Sequence, residues 1–454
     1  MAALTLLRHP VPEEKQRLLR ARWSTLDPRW RTPGQGFGQQ ATGCGATIGV
    51  HPGCDFACTG CYLGDEANHV SRIGLDETYR QLDHLRAWLG PKGNAQITDG
   101  EVTLLPPEEL VAIVRYARRI GLIPMVMTHG DSFRRRPGLL ERLMRDAGLT
   151  EISIHIDSTQ RGRLGYRQPD GERALEPLRE ECATLVRAAR RATGLRLRAA
   201  TTVTVTSDNL DDVPGVVDWC FRNRDAFGMV SFQPVAHVGR TRDDLEPITV
   251  KDLWDRIESG LAPYGYGRNG RATFSFGHPD CTKLELLVAY ERAGKRPRAI
   301  AVVRDGAAQD SAMLREFFAR GLGGINFRDD SPLERICRAA GILLADPRWA
   351  FGPLRRWLVR RVSELGTTVP RLAWGSLRRT VRVDSFAIVS HHFMNAAELA
   401  TPIGRERLAA CLFRVPIGDT LVPMCEVNAG GVREAFYAAQ RRPVTFIDSP
   451  TARR

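Results

Sequence analysis

Cys54, Cys58 and Cys61 form a Cys-x3-Cys-x2-Cys motif inside the stretch Gly49-Val50-His51-Pro52-Gly53-Cys54-Asp55-Phe56-Ala57-Cys58-Thr59-Gly60-Cys61-Tyr62. Ten cysteines in 454 residues would produce this spacing by chance only about 0.005 times per chain. Three thiolates on one short loop can hold three irons of a cubane cluster and leave the fourth iron without a protein ligand. An open coordination position marks a site where something else binds, whereas structural metal sites are closed. A structural zinc, the rival use of these thiols, would need a fourth Cys or His at finger spacing, and none follows the motif.

Cys411 and Cys425 flank a Gly-Asp turn in a stretch that reads as a hairpin centred on Gly418. Partners in such a hairpin sum to 836, which sets 411 opposite 425 and brings the two thiols together. With Cys281, in the loop Gly277-His278-Pro279-Asp280-Cys281, they could ligate an auxiliary iron-sulfur cluster; core thiols or a cross-strand redox pair are the alternatives. His391 and His392 follow the strand read over Ser385 to Ser390 and offer an acid or base, but neighbours on a strand face opposite ways, so at most one reaches a site. Cys182, Cys220 and Cys337 lie in helical patterns and read as buried thiols.

The elements that must position these groups alternate. Short β-rich runs at Ala46 to Val50, Ala95 to Thr98, Pro124 to Thr128, Ile152 to Asp157, Leu197 to Val205 and Met229 to Val235 are separated by amphipathic stretches such as Leu75 to Leu89, Pro107 to Ile120, Gly138 to Ala147 and Asn209 to Arg222. That is the pattern of βα units around a parallel sheet. In Ile152-Ser153-Ile154-His155-Ile156-Asp157 one face is all isoleucine and the other is Ser, His and Asp. Gln96 shares a face with Thr98, and Ser231 with Gln233. In a barrel jacketed by helices the isoleucines must face the helices and the polar set the lumen or its mouth, which implies a ligand.

The segment from about 44 to 240 resembles the radical S-adenosylmethionine superfamily. The likeness implies a partial (β/α)6 barrel, a [4Fe-4S] cluster on Cys54, Cys58 and Cys61, and S-adenosylmethionine chelated to the open iron. It also implies reductive cleavage of that cofactor to a 5'-deoxyadenosyl radical, with electrons from a low-potential donor of flavodoxin or ferredoxin type. Thr98-Asp99-Gly100-Glu101 resembles the family's Gly-Gly-Glu motif, which contacts the methionyl amino group. Met127-Thr128-His129-Gly130 stands where the family has a Thr-Asn-Gly turn. Ser153, His155 and Asp157 stand where it binds the cofactor's ribose and carboxylate, and Gln233-Pro234 resembles its adenine-side contact. Asp99 replaces a glycine, and Gly60 replaces a residue that is often aromatic. The substrate is open, a peptide- or RNA-modifying activity is one alternative, and a non-catalytic iron-sulfur or zinc protein is another.

Composition bounds the rest. At 43% hydrophobic and 26% charged the chain has an ordinary globular make-up, divided into an N-terminal extension (1–43), a barrel (44–262) and an α+β C-terminal domain (263–454). The net charge is +13, carried by 60 arginines against five lysines. These scatter through helices that also hold acids, and with no recognisable RNA-binding module nucleic acid is not the expected partner. Met1 to Pro10 lacks the pattern of a secretion signal, and no uncharged apolar run reaches 18 residues. With thiols clustered rather than dispersed as disulfides, a cytoplasmic protein is expected. Membrane contact, if any, is peripheral: Leu354, Trp357, Leu358, Val362 and Leu365 share one face of a helix at 353–365 that also carries Arg355, Arg356 and Arg360.

Overall fold

The computed structural model describes residues 2–267, 274–304 and 306–440. Six strands, β1 (Cys44–Ala46), β2 (Asn94–Ile97), β3 (Ile123–Thr128), β4 (Glu151–His155), β5 (Arg198–Val205) and β6 (Phe227–Pro234), pair in chain order, all parallel. Helices return the chain between them, among them Leu75–Leu89, Pro107–Arg119, Leu139–Ala147, Glu176–Thr193 and Val213–Arg222. Ile152, Ile154 and Ile156 are fully buried in the main apolar core, so β4 turns its isoleucines toward the helices as its alternation requires. The first strand was expected over 46–50, yet its ladder stops at Ala46. Gly49 sits at φ +79, with Phe436 and Ile73 filling the space a Cβ would need, and that left-handed step leads the chain off the sheet.

The later chain adds to the same sheet. β7 (Phe274–Phe276), β8 (Thr282–Arg292), β9 (Arg298–Ala301), β10 (Val381–His391), β11 (Phe413–Ile417) and β12 (Thr420–Pro423) complete the order β12-β11-β1-β2-β3-β4-β5-β6-β10-β8-β7, with β9 also on β8. β10 is parallel to β6 and β11 parallel to β1, so eight parallel strands lie in a row, flanked by antiparallel β8 and β12. The row curls: Arg407, just before β11, donates to the Cys281 sulfur at 3.4 Å and to the His392 carbonyl, just after β10, at 2.7 Å. Residues 441–454 of the segment read as a C-terminal domain lie outside the described residues.

The β11–β12 hairpin corrects the expected register. Val415 faces Val422 and Ile417 faces Thr420, one residue away from the pairing that would join 411 to 425. Gly418 at φ +56 makes a two-residue turn with Asp419, the tight loop that suits strand twist. Cys411 precedes β11, and Cys425 lies in the helix Met424–Ala429, which starts after Pro423.

Candidate functional site: the cysteine loop and its cavity

The cysteine loop follows β1 and is pinned from three sides. Ala57 and Thr59 donate their backbone N–H groups to Arg161 and Thr159, beyond β4, at 3.0 and 2.9 Å. Arg240 and Arg242, beyond β6, donate theirs to Cys61 at 3.1 Å and Thr59 at 2.9 Å. Asn68 Oδ1 accepts from the Cys54 N–H at 2.8 Å. A loop whose backbone is tied this densely presents its side chains with little freedom to rearrange. All three thiols line one cavity at the C-terminal ends of the strands, where barrels of this kind build their sites. Burial pushes the Cys54 thiol up to about 12 and Cys58 higher still, so these thiols stay protonated until a metal displaces the proton. Gly60 has Thr204 and Val235 methyl groups 3.4 and 3.5 Å from the position of a Cβ, an ordinary contact distance.

The loop Thr98–Glu101 after β2 packs directly on the cysteine loop. The Gly100 N–H donates to His51 O at 3.0 Å and that of Glu101 to Gly53 O at 2.9 Å. A Cβ on Gly100 would meet the carbonyl oxygens of Pro52 and Gly53 at 2.1 and 2.4 Å, so only glycine permits this approach. Glu101 is buried and accepts from the Thr128 hydroxyl at 2.7 Å, the His129 N–H at 2.8 Å and the Thr103 N–H at 3.1 Å. Asp99, which stands where the resemblance expects glycine, accepts with its carboxylate from Arg433 and Tyr437, both at 2.6 Å, and from the Gly49 N–H. Tyr62 donates its hydroxyl to the Asp99 carbonyl and lies under the Arg433 guanidinium at 4.7 Å. This C-terminal anchorage was not legible in the sequence, because no local pattern marks a partner more than 330 positions away.

Ser153 and His155 line the cavity, with Gln96, Thr98 and Gln233. Asp157 stands behind them: its carboxylate accepts from Thr159 N–H and Thr204 N–H, both at 2.8 Å, and pairs with His155 Nε2 at 2.5 Å. Burial alone would raise the Asp157 carboxyl, but the His155 imidazole and the surrounding donors outweigh it and hold it down at about 2. Thr202 and Thr204 of β5, not singled out in the sequence, also face the cavity and bond Ser153 and His155 at 3.0 and 3.2 Å. The alternation of Thr202 and Thr204 within the β5 run was the signal available for them.

Cys54, Asp55 and His129 bring a sulfur, a carboxylate oxygen and a ring nitrogen within 4.8 Å of one another. Their bonding explains the grouping without an ion. His129 Nδ1 accepts from the Asp131 N–H at 3.1 Å, which places the ring proton on Nε2, 2.8 Å from Asp55 and 3.3 Å from Glu101. The Phe56 ring stacks on the imidazole at 3.8 Å, and Arg135 pairs with the other Asp55 oxygen.

Despite the shifted register, Cys281, Cys411 and Cys425 lie near enough to influence one another electrostatically where the strand row curls together, but the three do not form a grouping within 4.8 Å among the described residues. Burial raises all three thiols, Cys281 to about 11 and Cys425 to about 12, and both also sense the charge of Cys411. Cys425 accepts from the Met394 N–H at 3.5 Å. His391 and His392 are held well below ordinary histidine by burial, at about 4 and about 3, and neither lines the cavity.

No family model matches the chain. A protein of Methanocaldococcus jannaschii named 7,8-dihydro-6-hydroxymethylpterin dimethyltransferase is 23% identical over 220 residues, 47% of this chain. The chain thus spans only 41% of that relative's length. Among solved structures, native anSMEcpe with bound AdoMet and the Cp18Cys peptide matches at 10% identity and a TM-score of 0.33, over 49% of this chain and 59% of that one. Coproporphyrinogen III oxidase HemN of Escherichia coli, a radical SAM enzyme, matches at 15% and 0.30, over 53% and 56%. The hydrogenase maturase HydG of Carboxydothermus hydrogenoformans matches at 12% and 0.36, over 80% and 86%. Three thiols carried on one loop at the mouth of a parallel barrel, and a Gly-Glu turn seated on that loop's backbone, are the arrangement that the resemblance to the radical S-adenosylmethionine superfamily implies.

Proposed function

We propose that Cys54, Cys58 and Cys61 hold a [4Fe-4S] cluster and that the adjoining cavity binds S-adenosylmethionine. The observation that carries this reading is the backbone contact of Gly100 and Glu101 with His51 and Gly53: the loop expected to grip the cofactor's amino group and the loop expected to hold the iron are one packed unit. The donor set fits the group, since three thiols share one wall and hydroxyls of Ser153, Thr202 and Thr204 line another region of the same cavity. When bound, the cluster supplies one electron, drawn from a low-potential flavodoxin- or ferredoxin-type donor, to split the sulfonium into methionine and a 5'-deoxyadenosyl radical that takes hydrogen from the substrate.

The chain's own residues bind and orient. Glu101 and the Gly100 backbone face the amino group, Ser153 and His155 the ribose and carboxylate, and Gln233 the adenine, while Asp157 fixes the His155 ring and Asp99 fixes the loop. A second cluster on Cys281, Cys411 and Cys425 is favoured by the electrostatic proximity of three thiols from separate segments; reconstituted protein would then hold clearly more than four irons. The archaeal relative's name puts a reduced pterin first among substrates to assay. Thiol-held clusters suit a reducing cytoplasm. Reconstituted, reduced protein given S-adenosylmethionine should release 5'-deoxyadenosine and methionine in equal amounts; absence of both overturns the reading.

A further inference from the structure

Between residues 333 and 383 the molecule turns much of its apolar surface outward, although Trp349, Ala350 and Leu365 are buried. Among the described residues, eleven of the sixteen exposed large apolar side chains fall in this stretch. In the helix Pro332–Ala345, Leu333, Ile336, Leu343 and Leu344 are exposed, a stripe at helical spacing, while the buried positions are Arg338 and Gly341. Phe351 of the π-turn Ala350–Leu354 continues as Leu358 and Val359 in the helix Arg355–Glu364, whose buried residue is Arg361. Val369, Trp374 and Leu377 are exposed on the helix Val369–Leu377, where only Gly375 is buried. These segments contact one another in succession. The face anticipated from sequence is thus redrawn: Trp357 turns inward and donates to Asp310 at 2.9 Å, and Leu365 is buried, because Asp310 offers the indole a buried partner.

The polar groups between these stripes carry one sign. Eight arginines in the stretch are exposed, while its three acids are half-buried and each engaged by a neighbour. Glu334 closes a capping box with Ser331, Asp346 pairs with Arg320, and Glu364 pairs with Arg361. Arg348, Arg355, Arg356, Arg371 and Arg379 make no ion pair among the described residues. A second copy docking through this face would set arginines against arginines. A nucleic acid would leave the leucines, phenylalanine and tryptophan in water, since phosphate contacts need no aliphatic partner. An anionic bilayer meets both demands: lipid phosphates for the guanidinium groups, and the acyl boundary for the apolar stripes. No helix of the described residues is long and apolar enough to cross a membrane, which makes such contact interfacial.

We infer that the helices between 333 and 383 form a docking surface for an anionic membrane. None of the residues lining the cysteine-loop cavity falls in this stretch, so the surface and the redox site stand or fall separately. The test uses the full chain with vesicles of phosphatidylglycerol and phosphatidylcholine in equal parts, and with phosphatidylcholine alone. Co-sedimentation with the mixed vesicles is expected, weakened by roughly tenfold or more without the anionic lipid or at about 0.5 M salt. The quadruple variant Phe351→Ser, Leu358→Ser, Trp374→Ser and Leu377→Ser should lose about tenfold in partitioning, and so should Arg355→Gln, Arg356→Gln, Arg371→Gln and Arg379→Gln. Both sets change exposed residues, and a thermal melt confirms folding. Trp374 fluorescence should shift to the blue on binding. No partitioning of folded wild type, or partitioning indifferent to the apolar variant, overturns the inference. So does self-association or RNA binding that those variants abolish while vesicles are ignored.

Discussion

Arg433, in the last described helix, donates 2.6 Å to Asp99, one residue before the glycine that touches the cysteine loop. Both side chains are buried, and Tyr437 and Tyr62 share the contact. Arg433→Met strands a buried carboxylate and should cost about 3–5 kcal/mol in a urea titration. Adding Asp99→Asn removes the orphaned charge and should recover much of that loss. S-adenosylmethionine affinity should fall in the single variant; full stability there would show the pair does not anchor the loop.

Gly100→Ala pushes a methyl group into the carbonyls of Pro52 and Gly53. Either loop must retreat, at a cost of roughly 1–3 kcal/mol. Iron uptake on reconstitution should drop while the far-UV spectrum holds. Wild-type iron content in this variant would mean that the two loops are not a unit.

Glu101→Gln keeps the shape but turns an all-acceptor group into one with an amide facing the donors Thr128 and His129 N–H. Equilibrium binding of S-adenosylmethionine should weaken by about tenfold or more, with the visible spectrum of the cluster retained. Unchanged affinity removes Glu101 from the cofactor site.

Buried His391 and His392 titrate near 4 and near 3 in the folded chain, against about 6.5 when unfolded. Between these limits the unfolded chain binds protons that the folded chain refuses, so stability is intact above about pH 6.5 and falls as pH drops toward 4, by at most about 1.4 kcal/mol per pH unit for each histidine. Denaturation midpoints of the apo protein at stepped pH should show this slope, and His391→Asn with His392→Asn should flatten it.

Period-two alternation was enough to place Ser153 and His155 on the cavity and the isoleucines behind them, and spacing alone singled out the cysteine loop. Asp157 shares that parity, but the strand ends at His155, and past a strand end parity no longer fixes direction; its carboxylate instead closes the turn to Thr159. The hairpin register depended on whether the turn centres on Gly418 or after it, a half-residue choice that decides whether 411 meets 425. Strands β10 and β11 joining the barrel row at opposite ends, and the Asp99–Arg433 pair, are contacts between distant segments that leave no local imprint.

Iron content and cofactor cleavage in the triple variant Cys54→Ala, Cys58→Ala and Cys61→Ala test the central claim most directly. After anaerobic reconstitution and reduction, the wild type should form 5'-deoxyadenosine from S-adenosylmethionine, and the variant should lose about four irons per chain and form none. Cleavage that persists in the variant would contradict the assignment of these three thiols to the cluster.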